Sequence, residues 1–86
     1  MKSILQELPN IGPKVAEQLE EIGVHTPEDL AAMGAKEAWL RILAIDPSAC
    51  INRLMGLEGA TQGIPKKLLS QEVRDDLKAF YRQAKG

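Results

Sequence analysis

No stretch of this chain alternates apolar and polar residues over the length of a β-strand, whereas apolar residues recur at helical spacing almost throughout. That periodicity restricts the chain to an all-α domain. The last third shows it most cleanly: Val73, Leu77, Phe80, Tyr81 and Ala84 fall at i, i+4, i+7, i+8 and i+11, one continuous stripe. With 86 residues there is one small domain, 1–86, because two would need roughly 100 residues each. Trp39, Phe80 and Tyr81 are the only aromatic residues, so the core is aliphatic.

Punctuation divides the pattern into six short helices. Ser3 with Gln6 three residues later predicts a capped first helix from Ser3 to Leu8, ended by Pro9. Pro13 suits the first position of a second helix, whose face is Val15, Ala16, Leu19 and Ile22 and whose C′ residue is Gly23. Thr26, Pro27 and Asp29 are the N-cap, first and third residues of a third helix, closed by Gly34. A fourth spans about 35–45 and buries Ala38, Trp39, Ile42 and Leu43. Asp46-Pro47-Ser48 opens a fifth, which continues through Gly56 and Gly59 towards Gly63 because Leu57 and Ala60 keep the period; the alternative is a break near Gly56 followed by a loop. Each interior glycine costs about 1 kcal/mol against alanine, and their shared face implies that a neighbouring backbone comes close there. Ile64 to Leu69 forms a turn, and Ser70 caps the last helix.

The turn Leu8-Pro9-Asn10-Ile11-Gly12-Pro13-Lys14 is where chemistry is expected. It resembles a helix-hairpin-helix motif, over about residues 3–23, with Ile11 as the plug between the helices. A helix start presents unpaired N–H groups and the positive end of its dipole. Gly12 leaves that end open to a phosphate and Lys14 adds a charge. Such a contact reads the backbone of double-stranded DNA and not its bases. Asn10 stands where DNA-binding versions carry glycine; asparagine accepts a left-handed backbone, but its side chain is placed to crowd a phosphate. Glu17, Glu20 and Glu21 on the next helix repel one.

The overall charge of −1 conceals a gradient: residues 1–34 sum to −4 and residues 63–86 to +3. Lys66, Lys67, Arg74, Lys78, Arg82 and Lys85 make the basic third, the last four along one helix face. They form either a shallow patch for phosphates or an acidic partner, or a solvated face with cations suited to a helix C-terminus. The two opposite ends could also attract one another between copies, with the glycine face of the fifth helix serving as a contact.

Several classes are disfavoured. His25 and Cys50 are the only histidine and cysteine, which excludes an internal disulfide, a paired-histidine metal site and a zinc-thiolate site. Neither has a motif partner, so no catalytic residue, metal or cofactor is expected, nor a small-molecule substrate. No apolar run approaches the roughly 18 residues of a membrane span. Met1-Lys2-Ser3-Ile4 leads straight into an amphipathic pattern, so a cytoplasmic location is expected.

Taken in order, Leu8 to Lys14, Leu19, Gly23, Thr26-Pro27-Glu28-Asp29-Leu30, Gly34-Ala35, Leu57-Glu58-Gly59-Ala60 and Gly63 resemble the C-terminal domain of the bacterial competence regulators TfoX, also called Sxy. The resemblance covers roughly residues 4–80. It implies an all-helical domain with a helix-hairpin-helix-like start and a link to regulation of DNA-uptake genes. Those regulators carry a further N-terminal domain, whereas this chain starts at the C-terminal one, as a stand-alone copy would. Ile64-Pro65-Lys66-Lys67 also stands where an aromatic residue is expected after Gly63. Of the family's features, only the hairpin positions Asn10, Ile11, Gly12 and Lys14 carry over residue by residue. The expectation is a non-catalytic binding module for DNA or regulation. The alternative is a protein-interaction or homo-oligomerisation domain that keeps the hairpin as scaffold.

Overall fold

A computed structural model of the chain describes residues 4–85, so the expected Ser3 cap lies outside the described residues. Five α-helices follow one another: α1 Pro13–Glu21, α2 Pro27–Met33, α3 Ala35–Ile45, α4 Ile51–Gln62 and α5 Gln71–Lys85. Two 3-10 turns, Ile4–Glu7 and Lys66–Leu68, complete the set, and no strand occurs among the described residues. The all-α class is therefore as the periodicity requires.

Two boundaries differ from expectation. The first of the six expected helices is a single 3-10 turn, in which the Leu8 N–H reaches back only to Leu5 O at 3.1 Å. Pro9 and the hairpin leave no length for an α-helical register. The fifth helix does not open at Asp46. Asp46 caps the end of α3, Pro47 and Ser48 turn the chain, and Cys50 is the N-cap of α4. From there α4 runs unbroken through Gly56 and Gly59, and it ends at Gln62 because Gly63 takes φ +74°.

The remaining ends follow their local chemistry. Gly23 and Gly63 both close Schellman motifs: Val24 N–H bonds Leu19 O at 2.8 Å, and Ile64 N–H bonds Gly59 O at 2.9 Å. The Thr26 hydroxyl accepts from Asp29 N–H, and the Asp29 carboxylate accepts from His25 N–H, both at 3.1 Å. Ser70 caps α5 by accepting from Val73 N–H at 3.2 Å.

Helices α1, α2, α4 and α5 all pack on α3. Trp39 on α3 is fully buried at the centre, with Phe80 and Tyr81 of α5 against it at 6.1 and 5.5 Å between ring centroids. Its indole N–H donates to Cys50 O at 3.2 Å, which ties α3 to the start of α4. Leu5, Leu19, Leu30, Ile42, Leu54, Leu57 and Leu77 fill the rest of the core. Ala84, expected on the α5 stripe, is exposed because that helix extends past the core.

Candidate functional site

The hairpin is built by three consecutive residues with different tasks. Asn10 sits at φ +69°, the only positive φ outside glycine among the described residues. Ile11 is buried in the core, although the element before it is a 3-10 turn and not the first helix of a helix-hairpin-helix motif. Gly12 is extended, at φ −91° and ψ −178°, a conformation open to any residue. What glycine supplies there is space, since a Cβ on it would meet nothing within 4 Å. No side chain caps α1, so its first turn is open beside Gly12 and the exposed Lys14.

The Asn10 side chain does not point at that opening. Its amide donates to Ile64 O at 3.1 Å and to Gly56 O at 3.3 Å, and its Oδ1 accepts from Lys66 N–H at 3.1 Å. The crowding of a phosphate expected from the sequence is thereby removed, because the side chain is turned inward as a pin. It is also what comes close to the α4 glycines. A Cβ on Gly59 would lie 2.6 Å from Asn10 Nδ2 and 2.7 Å from Ile64 O, and one on Gly56 would lie 3.4 Å from Asn10 Cβ. Both glycines are buried by this contact, so the glycine face is filled within the chain and offers nothing to a second copy.

Pinning brings the second 3-10 turn, with the exposed Lys66 and Lys67, alongside the hairpin. Lys66, Asn10, Val15, Asn52 and Arg53 line a cleft of about 240 Å³ at the start of α4. Cys50 lines it too. The Arg53 backbone N–H lowers the pKa of that thiol, and partial burial opposes the shift. Arg53 is not a free cation, since its guanidinium bonds Asp46 at 2.9 Å.

The six-cation patch does not survive as a unit. Arg74 turns back to donate to Leu69 O, Lys66 O and Lys67 O at 3.2, 3.3 and 2.7 Å, clamping the second 3-10 turn. Lys85 donates to Pro47 O at 3.0 Å and lies over the Tyr81 ring. What remains is Lys66 and Lys67 beside the hairpin, and Lys78 and Arg82 on the outer face of α5, whose side chains make no hydrogen bond or ion pair among the described residues.

The acidic flank forms a second feature. Glu17, Glu20 and Glu21 are exposed and line a cleft of about 570 Å³ with Gln6, Pro13, Ala16 and His25. No three metal-ligating side chains gather among the described residues. No described helix is long and apolar enough to cross a membrane.

Sequence reasoning overlooked one hub. Asp46 accepts from the Ser48 hydroxyl and N–H, from Gln18 Nε2 at 2.8 Å and from Arg53. The Ser48 hydroxyl, then Gln18, the Ser48 N–H and Arg53, hold its carboxyl well below the usual carboxylate range. The Asp-Pro-Ser string was the available signal, but it reads equally as a helix cap.

The model of the TfoX C-terminal domain family matches residues 1–81. Two solved structures from Listeria monocytogenes are similar. One is an uncharacterised protein in a triclinic form, at TM-score 0.94 and 43% identity over 95% of this chain and 93% of that one. The other is a protein of unknown function in a tetragonal form, at TM-score 0.89 and 42% identity over 92% of this chain and 98% of that one. No curated protein matches the sequence.

Proposed function

We propose that this chain, which belongs to the TfoX C-terminal domain family, is a non-catalytic cytoplasmic module that binds the phosphate backbone of double-stranded DNA, in a regulatory role linked to DNA uptake. One observation carries the reading. Asn10, two residues before the open helix start at Gly12, accepts from Lys66 N–H and so ties the Lys66–Lys67 turn to the hairpin, although more than 50 residues separate them. An uncapped helix N-terminus flanked by lysines suits a phosphate and is indifferent to base sequence.

Fluorescence anisotropy with labelled duplex DNA at low and moderate salt tests this. Binding should weaken with salt, and both Gly12→Glu and Lys66→Glu should abolish it. Loss in Lys78→Glu alone would move the site to α5. An absence of binding at low salt would reject the reading.

A second reading, a protein-binding module with the hairpin as scaffold, is favoured by the acidic cleft along α1. Three carboxylates there, without a partner among the described residues, repel DNA and suit a cationic protein surface.

A further inference from the structure

We infer that the acidic cleft along α1 docks the outer face of α5 from a second copy of this chain. The inference rests on the second reading above and names its partner.

Elsewhere the chain pairs charges internally: Lys36 with Asp76 at 2.6 Å, Arg41 with Glu37 at 2.9 Å and Arg53 with Asp46 at 2.9 Å. Among the exposed charges without such a partner, two groups each have members one helical turn apart along a single helix. Glu17, Glu20 and Glu21 on α1 make no side-chain hydrogen bond or ion pair among the described residues, and neither do Lys78 and Arg82 on α5. Both helices pack on α3, and no ion pair joins the two groups among the described residues. Among the described residues the anionic face and the cationic one are thus both without a partner, and a second copy can join them.

The spacing agrees. Glu17 and Glu21 are i and i+4 on one helix, as are Lys78 and Arg82 on the other. Each pair thus spans about 6 Å along its axis, and two carboxylates can meet two cations in register. The cleft is concave, with Pro13 and Ala16 among its lining, so a convex helix face fits it better than a flat surface would. The contact joins two different faces, cleft to α5, so association grows with concentration. Its charged groups are exposed, so salt weakens it.

Sedimentation velocity on the full chain tests the inference at about 0.01 M and about 1 M salt, where the screening length falls from about 30 Å to about 3 Å. The sedimentation coefficient should rise with protein concentration at low salt and stay flat at high salt. The double variants Glu17→Lys/Glu21→Lys and Lys78→Glu/Arg82→Glu should each be monomeric, with unchanged circular dichroism. An equimolar mixture of the two should associate again, because each then meets its opposite charge. Rescue of that kind cannot come from misfolding. A wild-type chain that stays monomeric at low salt, association indifferent to both reversals, or a mixture that fails to associate would each overturn the inference.

An oligolysine peptide separates this from the broader reading. If it binds in a Glu17- and Glu21-dependent manner while the chain stays monomeric, the second copy is rejected and a protein-binding role stands. If neither occurs, both fall.

Discussion

Asn10 combines a left-handed backbone with three hydrogen bonds to the far end of the chain. Glycine could take the backbone but not the bonds; alanine could take neither without strain. Asn10→Gly should cost about 1–3 kcal/mol, since each lost bond is worth about 1 kcal/mol and solvent recovers part. Asn10→Ala should cost about 1 kcal/mol more, for forcing a Cβ into the left-handed region. Urea midpoints of the two variants check the order. The glycines make a matched pair of tests. Gly59→Ala gains about 1 kcal/mol of helix propensity, yet its Cβ collides with Asn10 and the Ile64 carbonyl, so it should destabilise on balance. Gly12→Ala should lie within about 0.5 kcal/mol of wild type, because its Cβ enters open space. The sequence showed that something must approach Gly56 and Gly59. It did not show that the approaching group is an asparagine side chain 46 residues away from Gly56.

Helix ends were legible wherever the signal is local. The Thr26-Pro27 start, the Gly23 and Gly63 stops and the Ser70 cap each depend on neighbours within five residues. The α3–α4 connection was not, because Asp46 is recruited by Gln18 of α1 as well as by Ser48 and Arg53. This network makes the connection acid-sensitive. Its carboxyl titrates below its ordinary 3.8 when folded, so it stabilises the fold fully above that value and loses the contribution as pH falls through the lower folded one. Asp46→Asn should melt at a lower temperature than wild type near neutral pH. The gap should hold down to about pH 5 and narrow below about pH 4. Thermal melts across that range check it; a gap that widens in acid would contradict the network. The basic stripe of α5 shows the same limit at the scale of one helix. Periodicity placed Arg74, Lys78, Arg82 and Lys85 on a common face, but the turn beside it engages Arg74 and the α3–α4 connection engages Lys85.

Across the whole molecule, the single tryptophan reports on every layer. Trp39 is buried between the aromatic residues of α5 and the start of α4, so its emission should be blue-shifted. Its thermal transition should coincide with that of helical circular dichroism, as in a two-state domain of this size. Separate transitions would mean that α5 melts on its own. The all-α class, most helix boundaries, the largely aliphatic core and the turn before α1 were legible without any structure. Those follow from apolar periodicity and from capping, which act within one or two helical turns and need no distant partner. Packing of the helices settled the rest: Asn10, Ile11 and Lys66 line one cleft, the glycine face is filled from within, and Arg74 and Lys85 are engaged while Lys78 and Arg82 have no side-chain partner among the described residues. Side-chain hydrogen bonds and ion pairs answer to distance in space, and helices packed on α3 bring together residues that no sequence spacing relates.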